Sequence, residues 1–224
     1  MNRKAPVGVR IPGPAGALEG LWQRGQEDLP GVVVCHPHPL YGGTMRNKVV
    51  YWIARAFQDA GCSVLRFNFR GVEKSEGAWD EGRGEVEDAL SALSWMQAQG
   101  VRTLWLAGFS FGGYVALSAF VRAPEVAAAW AVAPAVEHFP VPDVPDDARP
   151  VFVVAPGEDE IVPFEKVLAW SLRQPVASLC VIPRTGHFFP GKLDRLYGHI
   201  RALAQALIAD DAALISRTNH PEEA

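Results

Sequence analysis

The stretch that most constrains this chain is Leu104-Trp105-Leu106-Ala107-Gly108-Phe109-Ser110-Phe111-Gly112-Gly113-Tyr114. An apolar run leads into glycine, then serine, then two glycines, and the helix-prone Val115-Ala116-Leu117-Ser118-Ala119-Phe120 follows. That order reads as strand, sharp turn, helix, and Gly-x-Ser-x-Gly at the turn is the nucleophile-elbow pattern. A serine on such a corner holds a strained backbone conformation, so its neighbours two residues either side must lack bulk for the chain to pass itself. The corner pushes the Ser110 hydroxyl out at the carboxyl end of the strand. It also aims the first amides of the next helix at the same spot, where negative charge would develop in acyl transfer. A serine can equally be a plain helix N-cap. The elbow reading therefore requires a base, an acid and a second amide donor from elsewhere in the chain.

The rest of the chain alternates. Residues 6–11 and 17–24 look like two short strands. Gly31-Val32-Val33-Val34-Cys35 is a continuous apolar run of the kind found in strands buried on both faces. A helix is predicted over about 47–60, with Thr44 as its cap, then a strand over 62–69, a polar loop over 70–77 and a helix over 83–98. After the elbow come a helix to Arg122, an apolar run over 126–132, a proline-rich loop over 133–149 and a strand over 150–155. A helix over 163–172, a strand over 176–182, a last helix over about 190–209 and a polar, fraying tail over 216–224 complete the chain. Strands and helices in repeated alternation imply a mostly parallel sheet covered by helices on both faces, with ligands at the carboxyl ends of the strands.

Composition bounds the function class. A length of 224 residues suits one α/β domain spanning the whole chain. Net charge is −4 and no Lys/Arg block occurs, so neither nucleic acid nor an anionic membrane is expected as a partner. The basic start, Met1 to Pro6, is not followed by an apolar run, so it does not read as a secretory signal. Three cysteines, Cys35, Cys62 and Cys180, lie in or beside apolar runs without paired spacing. That pattern suits buried thiols in a reducing cytoplasm.

The polar candidates fall at the strand ends. A base for Ser110 should be a histidine, whose ordinary pKa lies near the working pH. Of the six histidines, His199 sits in a helix, His220 in the tail and His138 in the proline-rich loop, which leaves His36, His38 and His187 at the right edge. His187 follows the last strand. Asp159 follows the strand before it, flanked by Glu158 and Glu160, and any of the three carboxylates could orient the imidazole on residues alone. The order Ser110, Asp159, His187 is the chain order of α/β-hydrolases. His36-Pro37-His38-Pro39 could chelate, yet no cysteine or carboxylate cluster accompanies it, so no metal and no cofactor are expected. The turn better suits the second amide donor. Pro37 and Pro39 have no N–H, so the donor is His38, Leu40 or Tyr41, and the first donor is the amide of Phe111.

Four segments together carry a family resemblance: Gly-Phe-Ser-Phe-Gly-Gly at 108–113, His-Pro-His-Pro-Leu-Tyr-Gly-Gly from His36, Arg-Gly-Val-Glu-Lys-Ser-Glu-Gly from Arg70, and Gly-His-Phe-Phe-Pro from Gly186. The chain resembles small bacterial α/β-hydrolases related to the dienelactone hydrolases over roughly residues 6–209. The resemblance implies an α/β-hydrolase fold with little or no lid, Ser110 as nucleophile, His187 as base and Asp159 as acid. Asp159 is favoured over Glu160 because the family's acid stands four residues before the proline of Asp-x-x-Val-Pro. His38 becomes the first choice of donor. Dienelactone hydrolases carry a cysteine nucleophile, so the serine here argues against lactone specificity. Glu73 stands where the pattern has glycine, and on residues alone it reads as a solvated loop charge.

The expected activity is hydrolysis of small to medium carboxylic esters or thioesters in the cytoplasm through an acyl-enzyme. Phe109, Phe111, Phe188, Phe189, Leu40 and Tyr41 are candidates for an apolar wall. The substrate would be a small molecule, and a homodimer is compatible with the sequence. Two other readings use the same residues: a peptidase or acyltransferase on the same triad, and a non-catalytic binding protein that kept the fold.

Overall fold

The two apolar runs Gly31–Cys35 (β3) and Leu104–Phe109 (β5) lie side by side at the centre of an eight-stranded sheet, parallel and in register from Gly31 opposite Leu104 to Cys35 opposite Gly108. The computed structural model describes residues 5–175 and 177–219. Met1 to Lys4, Val176 at the expected start of the last strand, and residues 220–224 with His220 lie outside the described residues. Strand order is β1 (Val7–Gly13), β2 (Gly16–Gln23), β4 (Ser63–Phe67), β3, β5, β6 (Val126–Val132), β7 (Val151–Pro156), β8 (Ala177–Ile182). The β1–β2 hairpin joins antiparallel to β4, and every later pairing is parallel.

Side chains alternate across these strands and feed two separate cores. Val33, Cys35, Leu104 and Leu106 face one side, where helices α2 (Arg83–Ala98), α3 (Phe111–Arg122) and α4 (Phe164–Ser171) cover them. Val32, Val34, Trp105, Ala107 and Phe109 face the other, beneath α1 (Lys48–Asp59) and α5 (Leu193–Asn219). A strand buried on both faces has no polar side chain to spare, which is why β3 and β5 read as unbroken apolar runs, while β4 carries Ser63 and Arg66. Two such layers on a parallel sheet leave the carboxyl ends of the strands as the place where loops converge.

Three local expectations need correction. The cap of α1 is Asn47, whose Oδ1 accepts from the amides of Val49 and Val50 at 2.8 and 3.4 Å; Thr44 instead accepts from Arg46 N at 3.2 Å, one turn too early. Helix α5 begins at Leu193 and runs to Asn219, beyond the expected 190–209 and into the segment read as a fraying tail. Between Gly198 and Pro221 the sequence holds neither glycine nor proline, so nothing in it breaks the helix. Glu73 is not a free loop charge. Its carboxylate accepts from Asn68 Nδ2 at 2.8 Å and faces Arg46 Nε at 3.6 Å, and its backbone φ of +48° is the conformation for which glycine is the usual residue.

Candidate active site

Ser110 joins β5 to α3 with φ 56° and ψ −117°, a conformation costly for a residue with a side chain, by about 1–3 kcal/mol. The surrounding glycines permit it. A Cβ on Gly108 would collide with the carbonyl of Gly112, and one on Gly112 with the carbonyls of Cys35 and His36, so the elbow lies directly against the end of β3. Ser110 N donates to Val132 O at 2.9 Å, which ties the corner to β6. Phe111 is the first residue of α3, so its amide has no partner within the helix.

The loop after β7 and the loop after β8 bring an acid–base pair together. His187 Nδ1 lies 2.8 Å from Asp159 Oδ2 and 3.0 Å from Oδ1, and both side chains are almost fully buried. Asp159 is itself held by an Asx turn, since Oδ1 accepts from Ile161 N at 2.9 Å and Val162 N at 2.8 Å. A proton on Nδ1 is the arrangement this contact satisfies, and it would leave Nε2 as the ring's acceptor. Phe109 and Phe188 confine the ring, with centroids 5.0 and 5.2 Å away.

The three acidic neighbours separate cleanly. Asp159 reaches the imidazole. Glu160 reaches the backbone instead, where Oε2 accepts from His187 N at 3.0 Å. That carboxylate fills the place a Cβ on Gly186 would need, which explains the glycine before the histidine. Glu158 contributes its amide, bonded to Thr185 O at 3.0 Å.

The His36–Gly43 turn holds two histidines in opposite roles. His36 is fully buried, with Nδ1 2.6 Å from Pro37 O and Nε2 accepting from Phe69 N at 3.1 Å. Burial lowers its pKa to about 3, so the ring stays neutral, and both nitrogens are taken by backbone. His38 turns toward the cleft. Its Nδ1 accepts from Leu40 N at 3.2 Å, and its carbonyl accepts from Tyr41 N at 3.1 Å and Gly43 N at 3.0 Å. Of the three candidate donors, Leu40 and Tyr41 thus spend their amides inside the turn, and the His38 amide is the one these bonds leave over. Partial burial also lowers the His38 pKa.

Ser110 and His187 share a cleft of about 350 Å³ with Pro37, His38, Asn47 and Phe188. A second lobe of about 400 Å³ adjoins it at Ser110, walled by Phe111, Ala135, His138 and Phe139. Of the six expected wall residues, Tyr41, Phe111 and Phe188 line the cleft; Phe109 packs behind His187, Leu40 faces a separate groove, and Phe189 belongs to the core under α5. Ile161, Ala135, Phe139 and His138 were not singled out as wall. His138 was set aside as part of the proline-rich loop, yet that loop folds back over the sheet edge and His138 Nε2 lies 3.0 Å from Ile161 O. Polar loop 70–77 stays out of the cleft. It lines a groove on the far side of the His38 turn, and Arg70 is bound to the buried Asp88 at 2.8–3.2 Å.

Comparison with known proteins bears on the fold and the family. Residues 32–157 match the alpha/beta hydrolase fold family, more than half of the chain. The chain belongs to that family. A serine hydrolase without lid from Xanthomonas campestris superimposes with a TM-score of 0.82 at 36% identity, covering 90% of this chain and 94% of that one. An alpha-beta serine hydrolase homologue from Coxiella burnetii gives 0.83 at 37% identity, covering 90% and 99%. An uncharacterized protein of Rickettsia prowazekii is 43% identical over 127 residues, 55% of this chain and 53% of that one; the chain spans about half the length of this curated relative. This α/β-hydrolase has no helix among its described residues long and apolar enough to cross a membrane.

Proposed function

We propose that this α/β-hydrolase is a serine esterase or thioesterase acting on small to medium acyl groups. The observation that carries the reading is the buried Asp159–His187 pair at 2.8 Å on the same cleft as a strained, glycine-flanked Ser110. In this reading His187 Nε2 takes the Ser110 proton as Oγ attacks the acyl carbon, and the carbonyl oxygen becomes an oxyanion held by the amides of Phe111 and His38. Collapse of the tetrahedral intermediate breaks the bond to the leaving alcohol or thiol, which receives the proton from His187. Water then attacks the acyl-enzyme with His187 again as base, releasing the acid and restoring Ser110. Asp159 holds the imidazole tautomer and stabilises the imidazolium. The strain at Ser110 supports a reactive role over an N-cap role, since a capping serine needs no positive φ and Ser110 makes no side-chain capping bond.

A fluorophosphonate probe tests this directly. Labelling is expected on wild type at Ser110 and absent in Ser110→Ala. A folded wild type that takes no label refutes the serine-hydrolase reading.

A further inference from the structure

We propose that the two lobes divide the substrate between them: the acyl group enters the lobe of Phe111, Ala135 and Phe139, the leaving group lies in the lobe of Asn47 and Phe188, and both parts are uncharged. The proposal rests on the serine-esterase reading and adds an orientation and a substrate class to it.

The orientation follows from where the proton must go. His187 gives its proton to the departing oxygen or sulfur, so the leaving group has to lie beside the imidazole. The lobe with Asn47 and Phe188 contains His187, and the other lobe does not. Phe111 walls the second lobe, and its amide is the proposed oxyanion donor, so an acyl carbonyl held by that amide extends its chain there. His38, Tyr41 and Ile161 line both lobes and form the divide at Ser110.

The class follows from the walls. Neither lobe presents a Lys, Arg, Asp or Glu among the described residues. The acyl lobe is aromatic: the Phe139 ring lies 4.9 Å from Phe111 and 5.1 Å from Tyr114, and the His38 ring lies 5.2 Å from Phe111. A carboxylate or phosphate placed there would lose its hydration and gain no countercharge. An apolar acyl group, aryl or short aliphatic, replaces water at these ring faces and edges without that penalty. His138 Nε2 lies 3.0 Å from Ile161 O at the wall of this lobe.

Two ester series separate the halves. One varies the acyl group on a fixed alcohol: p-nitrophenyl acetate, butyrate, octanoate and benzoate. The other varies the alcohol on a fixed acetate. Phe139→Ala is expected to change relative kcat/KM within the acyl series by about ten-fold or more, and to change it less within the alcohol series; Phe188→Ala is expected to do the converse. Single-turnover deacylation of a given acyl-enzyme should respond more to Phe139→Ala than to Phe188→Ala, because the leaving group has already gone. The crossed pattern overturns the orientation. Hydrolysis of the p-nitrophenyl monosuccinate within about ten-fold of the butyrate overturns the requirement for an uncharged acyl group. Wild type that cleaves no ester and takes no fluorophosphonate fails the esterase reading itself, an outcome distinct from either of these.

Discussion

The elbow after β5 and the turn after β3 are neighbours with the same task, to present backbone amides to one point, yet they are held in different ways. The elbow closes mainly on local residues, with Ser110 N to Val132 O as its tie to the next strand. Gly113 N and Tyr114 N both bond Ser110 O, and the glycines that let the corner close stand within two residues of the serine on one side and three on the other. The His36–Gly43 turn closes on its own bonds to His38 but is anchored to the molecule at a distance. His36 accepts from Phe69 N, and Met45 N, just beyond the turn, donates to Asn68 Oδ1 at 2.8 Å. A locally built feature announces itself as a motif. A feature built on partners across the sheet looks in the sequence like scattered polar residues, and its stability depends on segments that carry no part of the proposed chemistry.

The largest test of this contrast concerns the part of the proposed triad that is also built at a distance. Asp159→Asn keeps the shape and presents the wrong tautomer to His187, so kcat is expected to fall by about 10⁴-fold. Glu160→Gln removes a charge from the His187 amide and leaves the imidazole partner in place, and its loss should be far smaller. Steady-state kinetics on a p-nitrophenyl ester measures both. Equal losses would mean that the Glu160 carboxylate at the His187 amide matters as much as Asp159 at the imidazole.

Next comes the point where the two regions touch. Gly112→Ala sets a methyl against the carbonyls of Cys35 and His36, and neither backbone can yield without moving a proposed donor. A loss of about 1–3 kcal/mol in urea unfolding is expected. A fall of about 10²-fold in kcat/KM should accompany it, from misplacement on the order of an ångström. Gly43→Ala crowds the Pro37 carbonyl within the turn alone. Full activity in Gly112→Ala would show that the elbow and the turn are not mechanically joined.

The same contrast explains how much could be read beforehand. The parallel sheet and the elbow were legible because they rest on periodicity and on residues close in sequence; Ser110, Asp159 and His187 lie far apart in the chain, and it was the family resemblance that singled out Asp159 among three neighbouring carboxylates. Among the three amides, His38 was favoured through the resemblance alone, and no physical reason for it stood in the residues. That reason is that Leu40 and Tyr41 spend their amides inside the turn, a matter of three-dimensional closure. Nor was the role of His138 legible, since its place on the cleft follows from how a proline-rich loop folds back, and no local pattern encodes that. Glu73 misled for a similar reason: its partners, Asn68 and Arg46, lie on different segments.

His36 gives a smaller, pH-dependent test. Its pKa in the folded protein is lowered to about 3, against about 6.5 when unfolded. Below pH 6.5 the unfolded chain binds a proton that the native state refuses, so stability present above that pH is lost as pH falls toward 3. The slope attributable to His36 is up to about 1.4 kcal/mol per pH unit. His36→Gln should be less stable than wild type at pH 7 and lose less between pH 6 and 4, as measured by urea unfolding across that range. Parallel curves would place the acid sensitivity elsewhere.

The smallest expected effect lies at the start of α1, where the turn hands over to a helix and the structure departs from the local reading. Asn47 Oδ1 satisfies two of the free amides of that helix, whereas Thr44 bonds only Arg46 N. Asn47→Ala should therefore lower stability by about 1 kcal/mol. Thr44→Ala should lower it by less, since its bond belongs to a turn that Gly43 N and Asn47 N already hold through His38 O and Thr44 O. Asn47→Asp tests the cause. An aspartate keeps the acceptor and adds a charge that favours the helix N-terminus, so the loss seen in the alanine variant should be recovered. If the aspartate variant, which has the same shape, is as unstable as the alanine one, the contribution of Asn47 comes from its neutral amide group, whose N–H donors the carboxylate lacks, and not from capping.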